Sequence, residues 1–597
     1  MKILIANRSE IAMRVIRTAK DMQIPTVVGY AEADFGTPFT RFADEAHALG
    51  GASYAETYMN GEKLIALAAA SGATAVHPGY GFLSESPEFA EMVTAAGLTW
   101  IGPSPRTLRE LGDKISARQL AECAGVQPVP GISDAIDGRE QVEEFVERWG
   151  YPIVTKKADG GGGRGITIIR NDDDLAHFFA AAGPNPEGVF VEKFLESARH
   201  IETQCMRDAH GNFAVVSTRD CSIQRRNQKL IEEAPAAGLI PEQEKTLIDW
   251  SRALFEVSDF VGLGTCEFLV ESGRDESGDS GEQAGAIYFL EVNPRLQVEH
   301  TVSEEITGLD LVREQIVIAN GEAMSVVPEP TGHSFEFRLT SEDPARDMMP
   351  SEGTITKLEW PLGHGVRIET GVHQGDAVTS AFDSMLAKII VTGPSRDVAI
   401  ARSLRALAEL RLEGIATPMR LYRDVIAAEE FANLEYSTRW FEEEFLPQWQ
   451  RGASPATPPA ASTAPSAGTP ERETFIIELD GKLSELRVPK GLFGGGAPAP
   501  TPRPQPLRRA NRTREGLPAG GGEATGDVCS PIQAIVVRVV AEERKAVTEG
   551  DLLVVLESMK MESYVYAPID GVVESIATSQ GANVSAGTSL LTITPNS

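Results

Sequence analysis

The sequence predicts a multidomain protein of α/β and α+β class, with a doubly wound N-terminal domain and a small flattened β-barrel at the C-terminus. Three observations predict this architecture. Strand-like and helix-like patterns alternate from residue 3 onwards, two low-complexity stretches interrupt the C-terminal part, and the segment 528–597 repeats itself internally. At 597 residues the chain is long enough for several separate hydrophobic cores.

The opening of the chain has the pattern of a parallel α/β domain. Aliphatic residues at 3–6 and 26–28 read as strands, and the apolar residues of 10–22 recur between them at helical spacing. The same alternation returns at the strand-like segments 75–76 and 99–101. Because alternating strands and helices build a sheet with helices on both faces, these residues predict a doubly wound domain.

Two linker-like stretches separate the large body from the C-terminal domain. The body after residue 158 mixes strands, glycine-rich turns and amphipathic helices, which is typical of an α+β arrangement. Residues 452–470 are rich in Ala, Pro, Ser and Thr, and 491–526 are rich in Gly, Pro, Arg and Ala, so neither stretch can bury a core. Between them, 473–488 reads as a β-hairpin that turns at Asp480-Gly481.

The bulk composition excludes some partners and favours a reducing compartment. The formal charge of −31 argues against a nucleic-acid partner, because phosphate backbones bind basic surfaces. The first residues read as a strand rather than a signal peptide, and no membrane span is apparent, so a cytoplasmic protein without a membrane partner is expected. The cysteines show no metal-ligand spacing and are expected as thiols: Cys123, Cys205, Cys221, Cys266 and Cys529.

The most informative short motif is a lysine, Lys560, with a methionine on either side. Strand-like residues precede it at 551–556 and follow it at 564–567, which predicts that it lies at the tip of a hairpin. The surrounding sequence repeats, with 534–537 matching 571–574, as expected for a barrel built from two similar halves. This segment resembles the biotinyl carrier domain, whose modified lysine lies in a Met-Lys-Met hairpin. The alternatives are an ordinary surface lysine and a lipoyl domain, whose lysine usually follows an aspartate and lacks the methionine pair.

A glycine-rich loop is the clearest nucleotide signal. Four consecutive glycines at 160–163 lie between the strand-like segments 152–155 and 166–169. Such a loop lets backbone amides approach polyphosphate closely, and Lys156 and Arg164 add positive charge. The spacing is not that of a Walker loop, and the loop taken alone is equally compatible with a flexible hinge.

Two acidic residues on apolar strand-like segments, Glu267 and Glu291, point to a metal site. A carboxylate among apolar neighbours needs a partner, and Mg²⁺ bridged to ATP phosphates meets that need. Asn293 is predicted on the same strand face as Glu291 and can complete the metal set.

Downstream of these acids, Arg295, Gln297 and Glu299 occupy alternate positions, which predicts that they share one face of a strand. An arginine, an amide and a carboxylate beside a metal–ATP site suit the binding of a small oxyanion and its deprotonation. The alternative is a surface strand with alternating polar residues, and the metal-type residues upstream make it less favoured.

The body resembles the biotin carboxylases of the ATP-grasp type over nearly all of residues 1–447. The resemblance rests on several long motifs in the right order: ANRSEIA at 6–12, HPGYGFLSE at 77–85, GDK at 112–114, the glycine loop, RDCSIQRR at 219–226, EVNPRLQVEH at 291–300 and FDSM at 382–385. The sequence departs from the usual family pattern at Ser9 (usually glycine), Asp159, Asn227, Pro294, Ala534, Ser558 and Ser563. None of these departures removes a catalytic group.

The resemblance implies a role for each site residue. ATP would be bound by Lys114, Lys156, Gly162, Gly163, Glu192, Lys193, Leu195 and His200, and Mg²⁺ (or Mn²⁺) by Glu267, Glu291 and Asn293. Bicarbonate would be held by Lys229, Arg295, Gln297 and Val298, with Glu299 as its general base. Biotin would be carried covalently by Lys560 and contacted by Tyr80 and Gly81, and Arg338 would stabilise the enolate of its ureido group. The implied catalytic set is Glu299, Arg295, Lys229 and Arg338.

The resemblance also implies the domain organisation and the partners. The expected domains are an N-terminal α/β biotin carboxylase subdomain at 1–113, an ATP-grasp domain at 114–328, a C-terminal subdomain at 329–447, a linker at 448–527 and a biotinyl domain at 528–597. The linker has no room for a carboxyltransferase, so the implied protein is the α subunit of an acyl-CoA carboxylase of the actinobacterial acetyl- or propionyl-CoA type. The implied partners are a separate carboxyltransferase β subunit, biotin protein ligase and bicarbonate, and the implied assembly has a homo-oligomeric carboxylase body. The hairpin at 473–488 is a candidate docking element for the β subunit.

Three other functions remain open at this point. Pro294 and Thr301 also occur in pyruvate carboxylases, so a pyruvate carboxylase subunit is one alternative. A non-catalytic biotin carrier or assembly scaffold is the second. An ATP-grasp ligase with an acyl-phosphate intermediate is the third, although it leaves the methionine-flanked lysine unexplained.

Overall fold

The structure is a computed structural model of the chain. It describes all residues except 52, 133, 158–165, 272–284, 380–381, 453–471, 480–481, 490–526, 532–533, 559–560, 585–586 and 596–597. The chain divides into two compact units, one formed by 1–453 with 526–597 and the other by 454–525. The predicted glycine loop and Lys560 lie outside the described residues.

Five short parallel strands form the first sheet. Its elements are β1 (Ile3–Ile5), α1 (Ser9–Asp21), β2 (Thr26–Tyr30), α2 (Pro38–Phe42), β3 (Glu45–Ala48), α3 (Gly61–Ser71), β4 (Ala75–His77), α4 (Pro87–Ala95), β5 (Thr99–Trp100) and α5 (Pro105–Gly112), with a 3₁₀ turn at Glu32–Asp34. The strand order β3-β2-β1-β4-β5 reverses at β1, so the predicted doubly wound domain is confirmed. Ligands bind at the carboxyl ends of strands where the order reverses, and Asn7 and Tyr80 follow β1 and β4 there.

A small antiparallel sheet follows, with helices packed on it. Its elements are α6 (Lys114–Cys123), α7 (Arg139–Trp149), β6 (Ile153–Lys157), β7 (Thr167–Ile169), α8 (Asp172–Ala182) and β8 (Val189–Lys193). The strand order is β7-β6-β8, and β6 pairs with β7 in antiparallel register. The two strands predicted to flank the glycine loop are therefore β6 and β7, which are hairpin partners.

A larger sheet of eight strands forms the centre of the body. The elements of this region are β9 (Ala198–Arg207), β10 (Phe213–Arg225), β11 (Gln228–Ala234), α9 (Pro241–Val257), β12 (Gly262–Glu271), β13 (Ile287–Asn293), α10 (His300–Thr307), α11 (Leu311–Ala319), β14 (His333–Thr340), β15 (Glu342–Asp343), β16 (Met349–Pro350), β17 (Gly353–Thr354), β18 (Lys357–Glu359), β19 (Val366–Thr370), β20 (Ala377–Val378), β21 (Met385–Gly393), α12 (Arg396–Glu409), β22 (Arg411–Glu413), α13 (Met419–Ile426), α14 (Glu429–Ala432) and α15 (Leu446–Gly452), with a 3₁₀ turn at Pro344–Arg346 and a π-helix at Trp440–Phe445. The strand order is β13-β12-β9-β10-β11-β14-β21-β19, with antiparallel neighbours throughout. The sheet continues across the boundary predicted between residues 328 and 329.

Many polar side chains are buried along the middle strands of this sheet. All eight residues of β14 are buried, and Glu336 and Arg338 are among them. Lys388 on the adjacent β21 is fully buried, as is Arg219 on β10. Burying a charge costs free energy unless it is paired and hydrogen-bonded, so these strands carry a connected network of ion pairs. The candidate active site is built on that network.

The C-terminal segment forms two four-stranded sheets with a shared apolar core. Its strands are β25 (Asp527–Cys529), β26 (Ala534–Val539), β27 (Ala546–Val547), β28 (Leu552–Ser558), β29 (Met561–Tyr566), β30 (Gly571–Ile576), β31 (Asn583–Val584) and β32 (Ser589–Pro595). The sheet orders are β25-β32-β30-β27 and β29-β28-β26-β31. Each half of the repeat therefore gives strands to both sheets: β26 pairs with β31, and β30 pairs with β27. The predicted flattened barrel of two similar halves is confirmed.

The unit 454–525 contains one described element, an antiparallel hairpin. Its strands are β23 (Arg472–Leu479) and β24 (Lys482–Pro489), in agreement with the hairpin predicted at 473–488. The predicted turn residues, Asp480 and Gly481, lie outside the described residues.

Two further sequence expectations concern the cysteines and membranes. All five cysteines are free thiols, but only Cys205, Cys221 and Cys266 are buried, whereas Cys123 and Cys529 are exposed. In the described part of the chain, no helix is both long and apolar enough to cross a membrane.

Candidate active site

Lys229 on β11 lies at the centre of three carboxylates. Its Nζ is 2.7 Å from Glu202 Oε2, 2.9 Å from Glu267 Oε1 and 2.7 Å from Glu299 Oε1. Antiparallel neighbours and a following loop bring these acids together from β9, β12 and the segment after β13. Burial alone lowers the pKa of Lys229, but Cys221 and the three carboxylates together raise it well above its usual value. The side chain is therefore a permanent cation at neutral pH.

Glu299, the predicted general base, is fully buried between two cations. Its second oxygen accepts a hydrogen bond from Arg338 Nη2 at 3.1 Å, opposite the contact with Lys229. Burial raises the pKa of Glu299, but Lys229, Arg338 and Arg219 outweigh it and lower the pKa well below the usual carboxyl value. The carboxylate is thus ionised at neutral pH, but the same low pKa makes it a weak base while both cations are unshared. An anion that shared Lys229 and Arg338 would weaken this effect and raise the basicity of Glu299.

Arg338 on β14 bridges two acids. Its Nε donates to Glu232 Oε1 at 2.6 Å, and its Nη2 donates to Glu299. Burial, reinforced by the charge of Glu299, raises the pKa of Glu232 to about 7, although Arg338 and Lys229 oppose this. The guanidinium is held at two points, which orients its remaining N–H groups.

Arg295, Gln297 and Glu299 do converge, but the predicted strand that carries them is wrong. Strand β13 ends at Asn293, and 294–299 form a loop that leads into α10. Pro294 has no backbone N–H to continue the ladder, so the strand stops before it. In the loop, Arg295 Nη1 donates to Gln297 Oε1 at 2.8 Å, and Gln297 Nε2 donates to Glu267 Oε1 at 3.0 Å. Glu85 accepts a short hydrogen bond from Arg295 Nε.

The predicted metal ligands lie side by side on two paired strands. Glu267 on β12 is directly opposite Glu291 on β13, so their side chains share one face. Asn293 Nδ2 donates to Glu267 Oε1 at 2.7 Å, and Lys114 makes a short ion pair with Glu291. Two carboxylates and an amide oxygen are hard donors of the kind that Mg²⁺ takes, so this set fits the metal. Burial raises the pKa of Glu267, but Lys229 and His200 hold it well below its usual value, which keeps the ligand deprotonated.

The predicted nucleotide residues gather around a small cavity of about 20 Å³. Lys114, Lys156 and Glu192 line it, and Glu192 accepts hydrogen bonds from Arg118 at 2.8 Å and, over a shorter distance, from Lys156. This volume is enough for about one water.

The other predicted ATP-binding residues lie around this region. Lys193 caps three carbonyls, with Nζ 2.8 Å from Trp149 O, and Leu195 follows β8 and is half-buried. His200 lies further along, with Nε2 2.8 Å from Glu267 Oε2, so it contacts the metal-type residues. Gly162 and Gly163 lie outside the described residues.

The biotin contacts implied at Tyr80 and Gly81 lie in a turn that Asn7 holds. Asn7 Nδ2 donates to Pro78 O and to Tyr80 O, each at 2.8 Å. The Tyr80 hydroxyl donates a short hydrogen bond to Glu10. Ser9, where the family usually has glycine, has a φ of 54°, so the family preference follows from a left-handed backbone that glycine adopts most easily.

Three buried side chains that contact residues of the candidate site had no role assigned from the sequence: Glu202, Arg219 and Lys388. Arg219 is fully buried and donates to Glu202 Oε1 at 2.5 Å, which orients Glu202 toward Lys229. Lys388 Nζ donates to Val298 O at 2.6 Å and lies 3.4 Å from Glu10 Oε1 and 3.8 Å from Glu336 Oε2. It therefore holds the backbone of the loop 294–299. The signal available in the sequence was a charged residue in the middle of an apolar strand, as in Ala387-Lys388-Ile389.

Four family models match successive parts of the chain. The biotin carboxylase N-terminal domain matches 1–108, and the ATP-binding domain of the carbamoyl-phosphate synthase L chain matches 113–327. The biotin carboxylase C-terminal domain matches 336–443, and the family of biotin-requiring enzymes matches 525–593. These matches agree with an ATP-grasp carboxylase body followed by a biotinyl domain.

One relative matches nearly the whole chain. The biotin-dependent acyl-coenzyme A carboxylase alpha3 subunit of Mycobacterium leprae is 42% identical over 605 residues, covering 99% of this chain and 98% of that protein. The chain belongs to the biotin-dependent acyl-CoA carboxylase α subunits. A pyruvate carboxylase subunit of Methanothermobacter thermautotrophicus is 37% identical over 454 residues, and the match covers 74% of this α-subunit chain and 89% of that protein. The pyruvate carboxylase alternative is therefore less supported.

Solved structures agree with the fold of this α subunit. A biotin carboxylase domain dimer of the 2-oxoglutarate carboxylase of Hydrogenobacter thermophilus, with MgADP, ADP and bicarbonate, is 38% identical with a TM-score of 0.68, covering 74% of this chain and 97% of that chain. A single-chain, multi-domain long-chain acyl-CoA carboxylase is 32% identical with a TM-score of 0.66, covering 100% of this chain and 51% of that chain. The predicted fold class is confirmed.

Proposed function

We propose that this α subunit carboxylates biotin on its own Lys560, using bicarbonate and ATP, and passes the carboxyl group to a separate carboxyltransferase β subunit that acts on an acyl-CoA. The observation that carries the proposal is the position of Glu299, which is buried and ionised between Lys229 and Arg338. A base beside two fixed cations is suited to taking a proton from a bound anion.

The residues around Glu299 suit bicarbonate. Lys229 and Arg295 are fixed cations near the base, and Gln297 links them through Glu267. These groups would offset the negative charge of bicarbonate while Glu299 removes its proton, so that bicarbonate attacks the γ-phosphate of ATP and ADP leaves. The product is carboxyphosphate, which breaks down to CO₂ and phosphate. Because the cations are already held by hydrogen bonds, little reorganisation accompanies the charge change.

ATP and Mg²⁺ would bind at the edge of the same region. Lys114, Lys156 and the glycine loop with Gly162 and Gly163 would hold phosphates, and Glu192, Lys193, Leu195 and His200 would lie along the nucleotide. Glu267, Glu291 and Asn293 would hold Mg²⁺, which would supply positive charge to offset that of the transferring phosphate group. The Hydrogenobacter thermophilus domain that holds MgADP and bicarbonate supports this assignment.

Arg338 would act on the second half of the reaction. Biotin would accept CO₂ at a ureido nitrogen. The phosphate released from carboxyphosphate would take the proton of that nitrogen, and negative charge would develop on the ureido oxygen. The Arg338 guanidinium, fixed by Glu232 and Glu299, is placed to offset that charge. Tyr80 and Gly81 would contact the biotin ring from the switch point of the first sheet.

The assembly and partners belong to the same proposal. We expect a homo-oligomeric carboxylase body, a separate β subunit, and modification of Lys560 by biotin protein ligase in the cytoplasm. The name of the Mycobacterium leprae relative supports an acyl-CoA carboxylase, and acetyl-CoA and propionyl-CoA are the proposed acceptors. The domain limits proposed are 1–113, 114–328, 329–447, 448–527 and 528–597, with the hairpin at 473–488 as a docking element for the β subunit.

The test is ATP-dependent fixation of [¹⁴C]bicarbonate by the purified, biotinylated chain. We expect ATP hydrolysis that requires both bicarbonate and biotin, and a loss of about 10²-fold or more in Glu299→Gln, which keeps the shape but cannot accept the proton. The matched control is Glu359→Gln, an exposed acid outside the site. Bicarbonate-independent ATP hydrolysis would contradict the proposal. Adding a β subunit with acetyl-CoA, propionyl-CoA or pyruvate in separate reactions identifies the acceptor.

A further inference from the structure

The hairpin that carries Lys229 ends in a basic turn. Arg225 and Gln228 close the β10–β11 ladder, and the two residues between them, Arg226 and Asn227, have φ values of 48° and 61°. Positive φ at both central positions is the geometry of a tight two-residue turn, in which asparagine is common. Arg226 lies in the turn, three residues before Lys229 in the sequence, so both residues belong to the β10–β11 hairpin.

Arg226 is held in place by two acids. Its backbone N–H donates to Glu442 Oε2 at 2.9 Å, and its Nη2 lies 3.1 Å from Asp347 Oδ2. Asp347 also pairs with Arg225 at 2.5 Å. An arginine fixed at its backbone and its guanidinium loses less conformational entropy when it binds a partner.

The partner in this structure is Tyr564 of the C-terminal barrel. The guanidinium carbon of Arg226 lies 4.8 Å from the centre of the Tyr564 ring, within the range of a cation–π interaction. Tyr564 is on β29, four residues after Lys560, and its register partner on β28 is Val555. We propose that Arg226 is the docking contact for the biotinyl domain, and that Tyr564 seats the Lys560 hairpin on the β10–β11 turn during biotin carboxylation.

The proposed docking surface lies on the hairpin that leads to the buried base. From the turn, β11 leads directly to Lys229, whose Nζ contacts Glu299. A strand advances about 3.3 Å per residue, so the turn is about 10 Å along the strand from Lys229. The proposed contact thus places the domain that carries Lys560 on the hairpin that carries Lys229. The inference rests on the proposed function, because it assigns the surface through which Lys560 meets Glu299.

The test compares two biotin sources in the full-length chain. Free biotin reaches the site without docking, whereas biotin on Lys560 requires it. We expect Arg226→Met and Tyr564→Leu each to slow the single-turnover transfer of [¹⁴C]bicarbonate to Lys560 by about two- to fivefold, the size of an exposed cation–π contact. Their ATP hydrolysis with saturating free biotin should match that of the parent chain. Intact mass confirms that each variant is fully biotinylated.

The double variant and a matched control make the result decisive. Arg226→Met with Tyr564→Leu should be no slower than either single variant, because both remove the same contact. Arg252→Met is the control, since the exposed Arg252 on α9 lies 4.8 Å from the centre of the Phe213 ring, the same distance as in the Arg226–Tyr564 contact. Additive effects, or an equal loss with free biotin, would overturn the docking assignment. Absence of biotin-dependent ATP hydrolysis in the parent chain would instead overturn the proposed function.

Discussion

Lys229 Nζ lies 2.7 Å from Glu299 Oε1, and the same ammonium also contacts Glu202 and Glu267. One cation therefore connects the proposed base with a proposed metal ligand. The link has a direct chemical consequence: anything that changes the charge of Lys229 changes the basicity of Glu299.

Replacing Lys229 with glutamine should leave three buried carboxylates without their shared cation. We expect bicarbonate-dependent ATP hydrolysis to fall by about 10²- to 10³-fold, the usual cost of removing one group that stabilises a developing charge. Because Lys229 helps to lower the pKa of Glu299, its loss should raise that pKa. The acidic limb of the pH profile for kcat/KM of bicarbonate should therefore move to higher pH.

The control for this prediction is Lys245→Gln. Lys245 forms an exposed i,i+4 pair with Asp249 on α9 and touches none of the site residues. It should change neither the rate nor the pH profile. If the acidic limb of the kcat/KM profile did not move in Lys229→Gln, that limb would not report the protonation of Glu299.

Arg338→Met should separate the two halves of the reaction. The variant loses the contacts to Glu232 and Glu299, and with them the charge proposed for the ureido oxygen. We expect kcat with free biotin to fall by about 10²-fold or more, while KM for free biotin changes little, because the contact is made mainly in the transition state. Steady-state kinetics with varied biotin measure this split. An increase in KM with an unchanged kcat would assign Arg338 to binding instead.

Lys388→Met should weaken bicarbonate binding although Lys388 is not among the proposed bicarbonate contacts. The ammonium donates to Val298 O and lies near Glu10 and Glu336, so its removal leaves the loop 294–299 without this hydrogen bond and the two buried acids without this cation. We expect KM for bicarbonate to rise about tenfold, and folding stability to fall by about 3–5 kcal/mol. Kinetics and thermal unfolding of the same preparation test both effects. Lys357→Met, on an exposed strand pair, is the control, and an unaltered KM would leave Lys388 with a structural role alone.

Glu336 should make folding stability depend on pH. Burial, together with Glu232 directly opposite on β11, raises the pKa of Glu336 to about 8, although Lys388 opposes this. The pKa of glutamate in an unfolded chain is about 4.3. Between this pKa and that of folded Glu336, the folded state holds a proton that the unfolded state has lost. Folding stability contributed by this group is therefore lost as pH rises from about 5 to 8. Glu336→Gln removes the titration, and its Tm relative to the parent chain should increase over that range.

The opposite case is Glu304→Gln. Burial raises the pKa of Glu304, but Arg14 and Arg367 outweigh it and lower the pKa, so this acid stays ionised from pH 5 to 8. Its substitution should lower Tm by an amount that does not change with pH. If the Tm difference between Glu336→Gln and the parent chain also stayed constant from pH 5 to 8, Glu336 would be ionised in the folded chain.

The sequence predicted the parts of the site that depend on local pattern. Glu267 and Glu291 were assigned to strands because each has apolar neighbours, and the structure places them directly opposite one another on β12 and β13. The first sheet and the two-fold barrel followed in the same way from alternation and from a repeat. The strand predicted through Arg295, Gln297 and Glu299 was wrong. The prediction followed the alternation of polar residues, although Pro294 has no backbone N–H with which to continue a strand.

The remaining contacts depend on long-range pairing that no local pattern carries. Glu202 meets Lys229 because β9 and β11 flank β10, and Lys388 meets Val298 across 90 positions of the chain. Charges in apolar strands signal that a partner exists, but the strand order decides which partner it is. The same holds for Arg226 and Tyr564, which lie in different domains.

The most direct test of the account is the intact mass of the biotinylated chain after brief incubation with ATP, Mg²⁺ and bicarbonate at mildly alkaline pH, beside Lys560→Arg. The account predicts that the parent chain carries biotin, and that it gains the mass of one CO₂ only when ATP is present. Lys560→Arg should show neither biotin nor the added carboxyl group. Biotin on Lys560 that never gains a carboxyl group, in a chain that still hydrolyses ATP, would contradict the central claim.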